Sequence, residues 1–187
     1  MSGLPTVDTI VESFERMGED AGAPSGGLEG GLMTSILLLH RNNIAQWDRE
    51  DDARRHQAND AVLAAAKRDI DRLNTSRHAY IEEIDHAIAN FVELRTNAPL
   101  ATESPGLAID RLSVLVIRLA SMERPPNVEG PAANEHGERL RRARAQLDAL
   151  KEALASLFSD LADGTRRFHR YESVKVYGGG VTDYHAR

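Results

Sequence analysis

Apolar residues recur every three or four positions along most of the chain, the spacing that places them on one face of an α-helix. The first such stretch is short and carries acidic residues on its other side. Its apolar residues are Val7, Ile10, Val11, Phe14 and Met17. Glycine, proline and acidic residues fill 18–31, so we predict a short amphipathic helix tethered by a flexible linker. This helix could cover its own bundle or lie on a neighbouring molecule.

Three further helices are predicted before residue 123. The pattern favours a second helix over 32–54 and a third over 60–94. Ser104 and Pro105 open the fourth helix, because serine is a favoured N-cap and proline fits the first helical position. This helix extends to Met122 and is apolar on most sides, so we expect it to lie centrally.

The fifth helix has a heptad stripe that ends at Gly164, a natural C-cap. Its apolar positions are Leu140, Ala143, Leu147, Leu150, Leu154, Leu157 and Leu161. The predicted fold is therefore an all-α antiparallel bundle of four long helices with a short tethered N-terminal helix. We expect a helix and linker over 1–31, a bundle domain over 32–177, where the segment after Gly164 packs across the helices, and a flexible tail over 178–187.

Polar residues continue the apolar face of the second helix instead of lying opposite it. The arc that begins with Leu32, Met33 and Ile36 goes on to hold His40, Asn43, Trp47, Glu50, Asp51 and Arg54. On the third helix, Asn74 and Arg77 interrupt the apolar arc in the same way. A buried guanidinium needs a carboxylate, and Glu50, Asp51 and Asp85 are the partners that this pattern suggests.

This arc has two interpretations. In the first, it lines a pocket in which His40, with Glu50, is a candidate acid or base, and Trp47 is a stacking wall. Arg77, helped by Arg54, would bind an anion such as phosphate or carboxylate. In the second, the same groups form a buried structural network that determines which helices pair and in what register.

Composition narrows the classes of function. The 187-residue chain has a formal charge of -6 and no cysteine, which makes it a poor general binder of nucleic acid and excludes disulfides and thiolate metal sites. Its start, MSGLPTVD, lacks the features of a signal peptide, and the longest apolar run, 36–39, is too short to span a bilayer. The histidines are scattered and predict no metal site. We therefore expect a cytoplasmic protein without nucleic-acid or membrane contacts.

Three stretches carry a family resemblance. They are Leu39-His40-x-x-Asn43-x-x-x-Trp47-x-x-Glu50-Asp51-x-Ala53-Arg54, then Ile70-Asp71-x-Leu73-Asn74-x-x-Arg77-x-x-x-Ile81-Glu82-x-x-Asp85, and Glu103-Ser104-Pro105-Gly106-x-x-Ile109-Asp110-Arg111-Leu112-Ser113. In this order they resemble a bacterial family of helical proteins known as domain of unknown function 4254. The ending Phe168-x-x-Tyr171-x-x-x-Lys175-x-Tyr177 is similar to that family as well. The resemblance implies an all-helical bacterial protein and no particular activity, and it adds Asp110, Arg111 and Lys175 to the candidate ligand-binding residues.

Three hypotheses of function stay open. The first is a protein that binds, or acts on, a small anionic metabolite, either phosphorylated or nucleotide-linked. The second is a Mg²⁺-dependent nucleotide pyrophosphohydrolase, whose acidic pairs would be Asp48 with Asp51 or Asp52, and Glu82 with Asp85. The third is a structural or protein-interaction module whose tethered helix contacts a partner. The cofactor is left unknown, and a homo-oligomer stays open.

Overall fold

The computed structural model describes residues 4–19, 31–55, 60–123 and 131–173, and within them the chain forms five α-helices. These are α1 (Val7–Glu19), α2 (Leu32–Arg55), α3 (Asp60–Phe91), α4 (Pro105–Glu123) and α5 (Pro131–Ala162). The predicted all-α bundle is confirmed, and the predicted limits of α1 to α4 hold to within three residues. The remainder of the predicted linker, the break before α3 and the predicted tail fall outside the described residues.

Helix α4 is the centre of the bundle, as its apolar surface predicts. It packs against all four other helices, and nine of its residues are buried. Ser104 starts the helix, because its hydroxyl accepts the N–H of Leu107 at 3.3 Å and its carbonyl accepts that of Ala108 at 3.1 Å. This N-cap places the first turn of α4 directly against α3.

The contact between α3 and α4 depends on Gly106. A Cβ atom at this position would lie 2.6 Å from the carbonyl oxygen of Ile81 and 2.8 Å from the carboxylate of Asp85. The fully buried Asp85 accepts the N–H of Gly106 at 2.7 Å and that of Tyr171 at 2.8 Å. Burial raises the pKa of Asp85, and hydrogen bonds from Ser104, Tyr171 and Gly106 oppose this shift. One carboxylate thus joins α3, the start of α4 and the C-terminal segment.

Helix α1 lies on its own bundle, the first of the two positions that its sequence allows. It packs against α2, α4 and α5 through an apolar face on which Ile10 and Phe14 are fully buried. The Phe14 ring stacks on the imidazole of His40, with centroids 4.0 Å apart and planes 11° apart. An ion pair of 2.8 Å between Asp8 and Lys151 holds the other end of α1 to α5.

The chain after α5 turns back across the helices, as predicted. Gly164 has a φ of 66°, and the N–H of the following Thr165 bonds the carbonyl of Asp160 at 2.9 Å, which completes the C-cap. Phe168 is buried, and the hydroxyl of Tyr171 lies 2.8 Å from His78 Nδ1 on α3. The prediction is confirmed as far as residue 173.

Candidate functional site

Arg77 finds its carboxylate on α4 and not on α2. Its Nε donates to Asp110 Oδ1 at 2.7 Å, and a second nitrogen bonds Asp110 Oδ2, so the pair is bidentate. The hydrogen bond with Asp110 is the main reason why the pKa of Arg77 is raised. The prediction that Glu50, Asp51 or Asp85 would be the partner was therefore wrong: Asp85 is held by backbone N–H groups, and Glu50 contributes only a longer-range attraction.

A chain of hydrogen bonds leads from this ion pair to His40. Asn43 Nδ2 donates to Asp110 Oδ1 and to Ser113 Oγ, both at 3.0 Å. Ser113 Oγ lies 2.9 Å from His40 Nδ1. The residues come from α2, α3 and α4, and all but Arg77 are buried. We name Arg77, Asp110, Asn43, Ser113 and His40 the polar network.

Ser113 is the one member of the polar network that is not among the predicted ligand-binding residues, although it ends the third motif. It is fully buried, and it follows Asp110 by three residues on the central helix, so both side chains share one face. Ser113 could have been predicted from this spacing, because two polar residues on one face of a helix that is apolar on most sides indicate a buried polar contact. The asparagine of the network also has a buried amide oxygen, Asn43 Oδ1, that makes no hydrogen bond within the described residues.

His40 is neutral in the folded protein. Burial lowers its pKa to about 4, and a hydrogen bond to the backbone of Phe14 only partly opposes this shift. With Nδ1 unprotonated, the imidazole accepts the hydroxyl proton of Ser113, while Ser113 Oγ accepts from Asn43 Nδ2. The His40 ring is therefore held in one orientation between α1 and α4.

We expect the stability of the protein to fall as the pH falls from 7.5 to 5. The folded-state pKa of His40, about 4, lies below the ordinary value of 6.5, so the unfolded chain binds the proton more readily over this range. Linkage gives a loss of about 2 kcal/mol by pH 5. Urea unfolding gives the unfolding free energy of the wild type and of His40→Gln at both pH values. The contribution of His40 is the difference between the two proteins in how much this free energy falls from pH 7.5 to 5. An equal fall in both proteins would contradict the prediction.

A cavity of about 830 Å³ adjoins the polar network at His40. It lies between the C-terminal halves of α2 and α4, and α1 and α5 form its other walls. Its lining comprises Phe14 and Glu15 of α1, His40, Ile44, Trp47, Asp48, Asp51 and Asp52 of α2, Val116, Ile117, Leu119, Ala120, Ser121 and Glu123 of α4, and Arg144 and Leu147 of α5. Phe14, His40, Val116 and Leu119 are buried, so the inner wall is mainly apolar.

The mouth of the cavity is acidic. Among the lining residues that the structure describes there are five carboxylates, Glu15, Asp48, Asp51, Asp52 and Glu123, and one permanent cation, Arg144. Arg144 donates to Glu123 at 2.8 Å, so its charge is already balanced. Glu15, Asp48, Asp52 and Glu123 are exposed; Glu123 is balanced by Arg144 and Asp52 lies 3.7 Å from Arg49, so Glu15 and Asp48 contribute most of the negative charge at the solvent side.

The predicted ligand-binding residues are only partly brought together. His40, Trp47 and Asp51 line the cavity, whereas Asn43, Arg77 and Asp110 lie in the polar network behind it. The half-buried Glu50 accepts a hydrogen bond from Gln46 at 3.2 Å, and Asn74 is half-buried on α3, one turn before Arg77.

Of the cations predicted to bind an anion, the two whose side chains the structure describes do not line the cavity. Arg77 is engaged by Asp110, and the exposed Arg111 bonds Glu103 at 2.6 Å near the start of α4. The side chain of Arg54 and the whole of Lys175 lie outside the described residues.

The acidic pairs of the pyrophosphohydrolase hypothesis lie in separate places. Asp48, Asp51 and Asp52 line the cavity, whereas Glu82 accepts the N–H of Ser173 at 2.6 Å and Asp85 is buried beside Gly106. Across 4–19, 31–55, 60–123 and 131–173, no three histidine or acidic side chains are grouped so that they could hold a metal ion. In the same residues, no helix combines the length and apolar character that crossing a bilayer requires.

Comparison with known proteins yields one match. The model of a protein family described as "Protein of unknown function (DUF4254)" matches residues 34–169, which include all but the first two residues of α2, the whole of α3 to α5, and the chain after α5 as far as residue 169. No curated protein and no solved structure shows a significant match.

Proposed function

Because the chain belongs to DUF4254, a family of proteins of unknown function, its role must be inferred from its own structure, and we propose that it binds a small organic molecule in the cavity beside His40 and Trp47. The cavity itself is the observation that carries this proposal. Its volume of about 830 Å³ falls within the range of roughly 300–1,000 Å³ that is typical of small-molecule sites. Its lining also has the usual character of such sites, apolar walls with a few polar groups.

The residues on α4 support this proposal. Protein interiors are close-packed, and voids larger than a water molecule are few. In the N-terminal halves of α2 and α4, large buried side chains such as Ile36, Leu39 and Leu112 fill the core. In the C-terminal halves, Ala120 and Ser121 face the cavity, so small residues stand where large ones would close it.

The polar network would support this site without reacting in it. It joins α2, α3 and α4 at the inner end of the cavity and orients His40, the one member that also lines the cavity. His40 is the candidate acid or base, but its lowered pKa and its bond to Ser113 favour a binding role. Glu50, the second catalytic candidate, is absent from the described lining.

A purely structural role is the second candidate, and the Arg77–Asp110 pair favours it. Both oxygens of Asp110 are used within the protein, and Ser113 is fully buried. A polar network of this kind favours one register of α3 against α4 without any ligand. The two candidates differ at the cavity, because only the first requires that the cavity stay open.

We expect a ligand of this site to stabilise the wild type and to lose its effect when the cavity is blocked. Ala120 is exposed and lines the cavity, so Ala120→Phe should obstruct it at little cost to folding. Thermal unfolding, followed by the fluorescence of Trp47, the single tryptophan, would screen amines, alcohols, carboxylates, sugar phosphates and nucleotides, with and without Mg²⁺. A compound at about one hundred times its Kd adds about 2.7 kcal/mol.

Ala155→Phe is the matched control, because Ala155 is exposed on α5 and is not part of the cavity lining. It should retain every stabilisation seen in the wild type. The proposal would be contradicted if every compound of the panel stabilised Ala120→Phe as much as it stabilises the wild type, or stabilised neither. That result, together with an unchanged fold in Ala120→Phe, would favour the structural role.

A further inference from the structure

The charges around the cavity restrict the class of molecule that fits it. Resting on the function proposed above, we propose that the ligand carries a positively charged amine or ammonium group on an apolar body. This differs from the anionic metabolite that the arginines of the sequence suggest. The reason is that Arg77 and Arg111 are engaged by carboxylates away from the cavity, and the charged groups among its described lining residues are mainly carboxylates.

Carboxylates approach the cavity from different walls. Glu15 stands on α1, directly after the buried Phe14, and Asp48 stands on α2, directly after Trp47. Asp48 forms no ion pair within the described part of the chain. An ammonium group at the mouth would therefore meet negative charge from two sides. Attraction between opposite charges at about 4 Å is worth about 1 kcal/mol in water and more where solvent is partly excluded.

Trp47 adds a second kind of attraction for the same group. Its indole lines the cavity beside Asp48, and a cation over an indole face is attracted by the negative π-surface. An aromatic ring next to a carboxylate is a combination that recognises amine and quaternary ammonium groups. The carboxylate and the face of the indole ring would both repel a phosphate.

An anionic ligand would find little to bind it among the described lining residues. The permanent cation of the described lining, Arg144, bonds Glu123 at 2.8 Å, so an anion would have to compete with that carboxylate. His40 is buried and its lowered pKa keeps it uncharged at neutral pH. Farther inside, Phe14, Val116 and Leu119 offer apolar surface, which suits the uncharged body of the ligand.

Three probes with one body and different charges test this inference. 3-Phenylpropylamine, 3-phenylpropan-1-ol and 3-phenylpropanoate share a phenylpropyl group and are cationic, neutral and anionic at pH 7.5. Each would be titrated into the full-length protein, with Kd measured by calorimetry and by Trp47 fluorescence. We expect the amine to bind about tenfold more tightly than the alcohol and the carboxylate to bind most weakly. Added salt should weaken the binding of the amine and not that of the alcohol.

Asp48→Asn should lower the affinity for the amine by about three- to tenfold and leave that for the alcohol unchanged. Asp163→Asn removes an exposed carboxylate that is not in the cavity lining, and it should leave the affinities for the amine and for the alcohol unchanged. If the alcohol or the carboxylate binds as well as the amine, the inference about charge is wrong while the site stands. If all three probes bind Ala120→Phe as tightly as they bind the wild type, or bind neither protein, the proposed site is wrong as well.

Discussion

Asp110→Asn is expected to destabilise the protein by about 3–4 kcal/mol, the largest effect of any single substitution considered. Asp110 is 5% exposed in its side chain and Arg77 is 29% exposed, so removing the carboxylate leaves a largely desolvated guanidinium without its counter-charge. The asparagine amide would also turn a donor toward the donors of Arg77 or of Asn43. Urea unfolding monitored by circular dichroism at 222 nm would measure the loss.

The double variant Arg77→Met, Asp110→Leu is the informative control. It replaces both charges by apolar groups of similar size, so no unpaired charge remains, and it should be more stable than Asp110→Asn. If the double variant loses as much stability as Asp110→Asn, the loss comes from removing the ion pair itself and not from leaving the Arg77 charge unpaired.

Gly106→Ala is expected to cost about 2–4 kcal/mol. The added Cβ would lie 2.6 Å from the carbonyl oxygen of Ile81, which is backbone and cannot rotate away, so α3 and α4 must move apart. The Cβ would also press on the carboxylate of Asp85 at 2.8 Å and weaken its bond to the N–H of residue 106. Chemical denaturation of the variant beside the wild type would give the difference in unfolding free energy.

Gly137→Ala is the matched control, since it makes the same change in the interior of helix α5. Apart from its two neighbours and the backbone of its own helix, no atom lies within 4 Å of a Cβ built at Gly137, so alanine meets no obstacle there. Alanine is the better helix former, and this variant should gain about 0.5–1 kcal/mol. Two variants of similar stability would show that the approach of α4 to α3 is looser than the structure indicates.

Much of the motif that carries the family resemblance has a structural explanation. In the stretch 103–113, Ser104 caps α4, Gly106 allows α3 to approach, and Ile109 fills the core. Asp110 binds Arg77, and Ser113 bonds His40. Arg111, on the exposed side of the same helix, bonds Glu103 near the helix start. Packing and polar satisfaction therefore account for residues that a motif alone would suggest as ligand-binding.

The sequence by itself determined the elements of this protein and the unusual face of α2. Helical periodicity is a local property, so the limits of α1 to α4, the N-cap at Ser104 and the C-cap at Gly164 could all be predicted from neighbouring residues. The same periodicity placed His40 and Asn43 on a core-facing arc, and both are buried.

The tertiary structure alone decided which groups meet. The choice of Asp110 over Glu50 as the partner of Arg77 depends on the register of α3 against α4, and that register follows from the close contact at Gly106. The cavity depends on four helices at once, because its walls come from residues up to 133 positions apart, from Phe14 to Leu147. Interhelical register and spacing arise from long-range packing, which no local pattern encodes, and for that reason the charge of the cavity mouth could not be predicted from the arginines of the sequence.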